Sequence, residues 1–227
     1  MQALVREVVG KESPLVASAL RKAAKEGDSI TPALATFFQR MDQASASVPQ
    51  RLACENGCSY CCHYHVYVYP VEAFALANFV KKLDEKTQTA IKDRLAHNIE
   101  QTSTLTVDEH IATNVRCALL DDNGKCIAYA LRPSACRKHH SLSGISCKVT
   151  FEDTASPMEN VLSPAREALS VGFMLSLMEG ARAAGVDTMR YEMNGALSEA
   201  LDNPACLKRW KSGKVSFASV RDKSDAL

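Results

Sequence analysis

The chain has 227 residues, of which 46% are hydrophobic and 23% are charged, a composition typical of a folded globular protein rather than a disordered one. The 27 Lys and Arg residues nearly balance the 26 Asp and Glu residues, so neither nucleic acid nor an anionic membrane surface is an expected partner. No apolar run approaches the ~18 residues of a membrane span, and the N-terminus lacks the apolar core of a signal peptide. We therefore expect a cytoplasmic protein with a single domain over residues 1–227.

The N-terminal third predicts two helices. Pro14–Gly27 has proline at a favourable first position and glycine at its end. A second helix is predicted to be capped by Thr31 and to run through the alanines and serines near position 46. Its apolar residues recur at helical spacing and predict a buried stripe: Leu34, Phe37, Phe38 and Met41.

The middle of the chain alternates between short elements. His65–Tyr69 is alternating and β-branched or aromatic, which predicts a strand. Pro70 opens a predicted helix, and a further helix is predicted over Glu85–Glu100. The sequence Arg116–Tyr129 predicts a β-hairpin turned at Asp121–Gly124, because Asn-Gly favours positive φ.

The C-terminal part predicts more helix. A long, buried helix is expected over Ser163–Gly185, followed by short helices at Asp187–Leu201 and Pro204–Lys211 and a loose polar tail from Ser212. The predicted fold class is therefore mostly α. It is a helical domain in which a cysteine-rich metal knuckle of loops and a β-hairpin, residues 51–147, is inserted between N-terminal and C-terminal helices.

Nine cysteines are the most informative feature of the sequence. In a reducing cytosol such a cluster is not expected to be a disulfide scaffold, and a chain of this length can bury a core without disulfides. Crowded thiolates repel one another, and a bound cation removes that cost, so metal is the economical explanation. The candidate ligands are eight cysteines in two blocks: Cys54, Cys58, Cys61 and Cys62, then Cys117, Cys126, Cys136 and Cys147.

Hairpin geometry leaves two arrangements open for Cys117 and Cys126. A four-residue loop would place them on one face roughly 7 Å apart, which suits one shared site. A two-residue turn would separate them by roughly 13 Å along the strand, which suits separate sites.

The cysteine pattern also resembles a known family. The C-x3-C-x2-C-C block is followed by Glu72-Ala73, then by Asn123-Gly124 before Cys126, and by Arg132-Pro133 before Cys136-Arg137. In these features the segment from about Arg51 to Cys147 resembles the YkgJ-type cysteine-cluster family, which is described as zinc- or iron-chelating. The resemblance implies a metal-bound cysteine cluster, with iron–sulfur in some relatives and zinc in others, and it carries no settled reaction.

Eight thiolates exceed the four that one zinc ion or one common cluster needs. Either two metal sites exist or some of the cysteines are redundant. The first hypothesis is an iron–sulfur protein, with a 4Fe–4S cluster favoured and zinc as the alternative cofactor, acting in redox chemistry or electron transfer with an unidentified protein partner. A structural zinc protein and a thiol redox switch are the alternatives. Some relatives resemble flagellin lysine methylases, so oxidoreductase or methylase activity is implied by the resemblance alone.

Several residues beside the cysteines have predicted roles. Arg137 is expected to bind the cofactor from outside the ligand set, because a thiolate cluster is anionic and a guanidinium donates several hydrogen bonds. The nearby histidines are expected to support the site or to be solvated rather than to bind metal: His63, His65, His139 and His140. The ninth cysteine, Cys206, is expected to pack as a small hydrophobic residue.

Overall fold

The computed structural model describes residues 1–26, 30–55 and 57–224, and most of them are helical. None of the described helices is long and apolar enough to cross a bilayer. The α-helices in chain order are α1 Gln2–Glu26, α2 Ile30–Ala46, α3 Pro70–Val80, α4 Glu85–Thr102, α5 Val107–Ile111, α6 Ser134–Lys138, α7 Gly144–Glu152, α8 Pro164–Ala184, α9 Met193–Asp202 and α10 Ala205–Lys211.

A small antiparallel sheet joins distant parts of the chain. Its strands are β1 Tyr67–Val68, β2 Arg190–Glu192 and β3 Lys223–Ser224, in the order β1-β2-β3. Tyr67 pairs with Glu192, and Arg190 pairs with Ser224. Strand β2 thereby lies between the C-terminal strand β3 and the strand β1 that follows the first cysteine block.

The helical core depends on a close approach between α1 and α8. A Cβ at Gly172 would lie 2.8 Å from Val8 Cβ, and one at Gly180 would lie 2.4 Å from Val16 Cγ1. These distances are shorter than van der Waals contact, so the two helices can meet this closely only where α8 carries glycine. The predicted stripe on α2 is confirmed: Leu34, Phe37, Phe38 and Met41 are all buried.

The first helix is longer than the sequence predicts. It begins at Gln2 rather than at Pro14, and Pro14 lies inside it. The residues on both sides of Pro14 share one buried face, from Val8 to Leu20, and the packing of that face compensates for the hydrogen bond that proline removes. The predicted end at Gly27 lies outside the described residues.

Three other predictions are wrong in detail. The strand at His65–Tyr69 is reduced to Tyr67–Val68, and the start of the predicted helix Asp187–Leu201 contains strand β2. The predicted hairpin is a single bridge between Leu120 and Cys126, around a turn in which Gly124 has φ of +72°. Two backbone hydrogen bonds cross the turn, from the Asp121 N–H to the Lys125 carbonyl and from the Ile127 N–H to the Leu119 carbonyl. The Asp121 side chain adds to them, because its Oδ1 accepts hydrogen bonds from the N–H groups of Asn123 and Lys125.

The polar tail is not loose over its described length. Phe217 is completely buried and Val220 nearly so. The Ser216 N–H donates to Asp187 Oδ2 and to the Tyr191 hydroxyl. A few apolar residues and one buried hydrogen-bond network therefore order a segment whose average composition suggests a solvated chain end.

Candidate metal centre

The first cysteine block is a tight turn. Residues Tyr60–His63 form one turn of 3-10 helix, which carries Cys61 and Cys62. The Cys58 N–H donates to the Glu55 carbonyl, and Gly57 has φ of +92°, a conformation that a side chain would strain. This tight turn allows the side chains of the closely spaced cysteines to point toward one side of the backbone.

Backbone hydrogen bonds join the two cysteine blocks directly. The Cys117 N–H donates to the Cys62 carbonyl at 2.9 Å, and the Val115 N–H donates to the His63 carbonyl at 2.8 Å. Helix α4 holds the same segment from behind, because Arg94 Nε donates to the Ala118 carbonyl. Cys117 is therefore fixed against the first block.

Cys136 lies on α6, which is anchored by a buried carboxylate. Glu72 is completely buried, and its Oε1 accepts the Ser134 N–H at 2.7 Å while its Oε2 accepts the Tyr69 N–H at 2.9 Å. Ser134 begins α6, so Glu72 ties the start of α3 to the helix that presents Cys136. This role of Glu72 is not apparent from the sequence, which shows only that Glu72 fits the family pattern.

The two cysteine blocks meet around one cavity of about 570 Å³. Seven of the eight candidate cysteines line it: Cys54, Cys58, Cys61, Cys62, Cys117, Cys126 and Cys136. The eighth, Cys147 on α7, lies close enough for its charge to raise the pKa of the Cys54 and Cys58 thiols, although burial is the larger cause of both shifts. Folding therefore brings residues of both blocks to one cavity, and their role as metal ligands stays a prediction.

The charges of the thiols influence one another within the cavity, and Cys61 acts on members of both blocks. The charges of Cys61 and Cys147 act on Cys54 and Cys58, whereas Cys136 is influenced by Cys117, Cys61 and Cys126. Burial raises the pKa of Cys117 to about 11 and raises the pKa of Cys136 well above its usual range. At neutral pH these thiols hold their protons, so a metal must displace protons to bind.

Arg137 is buried, but it does not line the cavity. Its Nε donates to the Arg132 carbonyl at 2.9 Å, its Nη2 donates to the Ala130 carbonyl at 2.7 Å, and Nη1 pairs with the Asp42 carboxylate of α2. The guanidinium thus shapes the loop between Cys126 and Cys136. A direct contact between Arg137 and a bound cofactor stays a prediction.

Arg132 is the arginine that lines the cavity. Its charge lowers the pKa of the Cys54, Cys61 and Cys126 thiols. Larger effects oppose it and raise these pKa values: burial for Cys54 and Cys126, and for Cys61 the hydrogen bond with Cys62 followed by burial. The Nε of Arg132 is buried and has no hydrogen-bond partner among the described residues. A buried donor without a partner is costly, so this atom fits an anionic group in the cavity.

The four histidines that lie beside the cysteines in the sequence have different surroundings. His63 Nδ1 lies 3.0 Å from the Ser59 carbonyl oxygen, and His140 Nε2 accepts the Ser163 N–H, so both support loops. His139 lines the cavity, and burial lowers its pKa. His65 also lines the cavity, but its ring turns toward the C-terminal segment.

His65 belongs to a cluster that sequence reasoning missed. Its Nε2 lies 2.7 Å from Asp222 Oδ2, and His110 Nδ1 lies 3.7 Å from the same oxygen. Burial would raise the pKa of Asp222, but hydrogen bonds from His110, His65 and Tyr67 outweigh it and hold that pKa well below the usual range. In the described part of the chain, this cluster is the set of three donor groups close enough to share one ion, and no three cysteines are as close.

The remaining cysteine is separate from the site. Cys206 is completely buried, and its Sγ lies 3.4 Å from Glu199 Oε1. Its place in the core confirms the prediction that it packs as a small residue.

One of the comparisons with known proteins found a match. Residues 53–158 match the family model CxxCxxCC, described as "Putative zinc- or iron-chelating domain". Neither a curated protein nor a solved structure matches the chain. All eight candidate cysteines fall within the matched segment, which supports metal binding as the role of this region. Residues 53–158, which carry both cysteine blocks, thus match the model of the CxxCxxCC family, the family that the cysteine pattern resembles.

Proposed function

We propose that the cysteine cavity holds an iron–sulfur cluster, of the 4Fe–4S type, and that the protein transfers electrons to or from a protein partner in the cytoplasm. The observation that carries this proposal is that seven cysteines, contributed by two separate blocks, line a single cavity. Cys117, Cys126, Cys136 and either Cys61 or Cys62 would supply the four thiolates that such a cluster takes.

The size of the cavity favours a cluster over a single ion. A structural zinc site closes four ligands around one ion, whereas a volume of about 570 Å³ is that of a cofactor or ligand pocket. The unpartnered Nε of Arg132 supports the same conclusion, since a thiolate-bound cluster is anionic and hydrogen bonds near it adjust its potential. All nine cysteines are free thiols, which suits a reducing compartment.

Zinc is the second candidate. The charges of Cys61 and Cys147 act on Cys54 and Cys58, and these four thiols are the number that a structural zinc ion requires. A zinc ion there would stabilise the loops and would give the protein no redox function.

Anaerobic purification followed by iron, sulfide and zinc analysis separates the two candidates. For the iron–sulfur proposal we expect a brown protein with about four iron and four sulfide per chain and with visible absorption that dithionite bleaches. A colourless protein with stoichiometric zinc and no sulfide would replace this proposal with the zinc alternative.

Arg132 provides a test within the cavity. We expect Arg132→Gln to make the reduction potential of the bound cluster more negative, because a nearby cation stabilises the extra electron. A tenfold change in the reduction equilibrium corresponds to about 59 mV for a one-electron couple, and a shift of this order is the expected result in a spectroscopic redox titration. Arg6→Gln removes the same charge from the exposed surface of α1 and should leave the potential unchanged. Equal potentials in the wild type and the Arg132 variant would show that this guanidinium does not act on the cluster.

A further inference from the structure

We infer that His65, His110 and Asp222 form a second metal site, separate from the cysteines, for a divalent first-row transition ion such as Fe²⁺ or Zn²⁺. The site would take two imidazole nitrogens and one carboxylate oxygen. This donor set differs in chemical character from the thiolates, and nitrogen and oxygen ligands with open positions are typical of non-haem iron and of catalytic zinc.

The spacing of the donor atoms fits one ion. His65 Nε2 and His110 Nδ1 lie 2.7 and 3.7 Å from Asp222 Oδ2, and the three donor atoms lie within 4.8 Å of one another. Ligands at about 2.1 Å from a metal are separated by roughly 3.0 Å at right angles and roughly 3.4 Å at the tetrahedral angle. Adjustments on the order of an ångström would therefore bring all three atoms to ligand distance.

The fold orients the carboxylate from several directions. Asp222 directly precedes β3, and its carbonyl accepts the Glu192 N–H of β2 at 3.0 Å. Its Oδ1 accepts a hydrogen bond from the Tyr67 hydroxyl of β1, while Oδ2 faces the two histidines. Partners that hold a carboxylate in this way are typical of the residues around a metal ligand.

The neighbouring Arg221 holds the third ligand in place. Its guanidinium donates to the carbonyls of Thr102, Ser103 and Leu105, in the turn that leads into α5. A capping box between Thr106 and Glu109 then fixes the start of α5, which carries His110. The C-terminal segment thus carries Asp222 and, through Arg221, also fixes the position of His110.

The cluster is buried, yet it opens to the cavity. The side chains of His65, His110 and Asp222 are 4%, 6% and 8% exposed. A buried carboxylate needs compensation, which a cation between the three groups would supply. Because His65 and His110 line the same cavity as the cysteines, a small oxygen-donor molecule in that cavity could reach the free positions of this ion.

Cobalt binding to the full-length protein tests the site. We expect His110→Gln and Asp222→Asn each to bind one Co²⁺ fewer than the wild type in equilibrium dialysis, or to bind it about 100-fold more weakly. The near-ultraviolet absorption of cobalt–thiolate bonds should be unchanged in both variants. His97→Gln and Asp93→Asn alter the same residue types on the exposed surface of α4 and should bind as the wild type does.

A wild-type cobalt count and affinity in both ligand variants would overturn the inference. A purely structural role of the cluster would lower the melting temperature of the variants by the same amount with and without Co²⁺, and that result would also overturn it. If the cysteine proposal failed instead, the thiolate absorption would be missing from the wild type, whereas the loss of one Co²⁺ in the variants would remain. Circular dichroism of the metal-free proteins checks that the variants are folded.

Discussion

Replacing Cys117 by Ser is expected to lower the metal content of the protein and to reduce its free energy of unfolding by about 3–4 kcal/mol, if the metal in the wild type is present at about 100–1,000 times its dissociation constant. The reason is linkage, since metal that binds only the folded state stabilises that state. Cys117 is chosen because its N–H already joins the second block to the Cys62 carbonyl of the first. Metal analysis and chemical denaturation of the purified variant provide the measurement.

Cys206→Ser is the matched control. The same substitution is made at Cys206, which is buried in the core beside Glu199. A serine hydroxyl at this position can donate a hydrogen bond to Glu199. We expect a cost of about 1–2 kcal/mol that is the same with and without metal. The difference between wild type and Cys117→Ser, by contrast, should disappear once a chelator has removed the metal. A difference that persists in the metal-free proteins would mean that Cys117 acts through packing.

Glu72→Gln is expected to destabilise the protein by about 1–3 kcal/mol and to lower its metal content as well. The two oxygens of Glu72 accept two backbone N–H groups, from Ser134 and Tyr69. The amide of glutamine has one acceptor oxygen, so its NH₂ group would face one of these donors. The start of α6 would move, and Cys136 would move with it.

Glu12→Gln separates loss of stability from loss of metal. Glu12 is also buried, and it pairs with Arg40 at 2.7 Å between α1 and α2. We expect this variant to be destabilised while it keeps its metal. If Glu72→Gln and Glu12→Gln retained equal amounts of metal, Glu72 would stabilise the core in general and would have no specific effect on α6.

The pH dependence of stability gives a second measurement on Glu72. Burial raises the pKa of Glu72, against the opposing hydrogen bonds from Ser134 and Tyr69. The folded state therefore holds this proton more tightly than the unfolded chain does. The wild type should lose stability as the pH rises from the usual range of a carboxyl group through the raised pKa, and Glu72→Gln should lack this contribution.

Local sequence patterns predict much of the helical framework. Proline at the start of α3, the stripe on α2 and the apolar run of α8 ending at Gly185 are signals contained within a few turns of chain, and the corresponding helices are present. Helix α1 shows the limit of these signals, because tertiary packing carries it through Pro14.

The sequence by itself determined the chemistry of the candidate site. Eight cysteines in two blocks, with the RPxxCR motif around Cys136, indicate metal because thiolates at such spacing need a cation. Only the tertiary structure decided which other groups meet them. Arg132 rather than Arg137 lines the cavity, because the guanidinium of Arg137 donates to the carbonyls of Arg132 and Ala130 instead.

The C-terminal segment is the clearest case of a feature that only the tertiary structure determined. Its polar composition predicts a loose chain end, yet it forms β3 and brings Asp222 to His65, which lies 157 positions earlier. No periodicity or spacing signals that pairing, because it depends on backbone hydrogen bonds between strands that are distant in sequence and on the burial of single residues such as Phe217. Contacts of this kind arise only when the whole chain folds, and they determine where the histidines and the carboxylate converge.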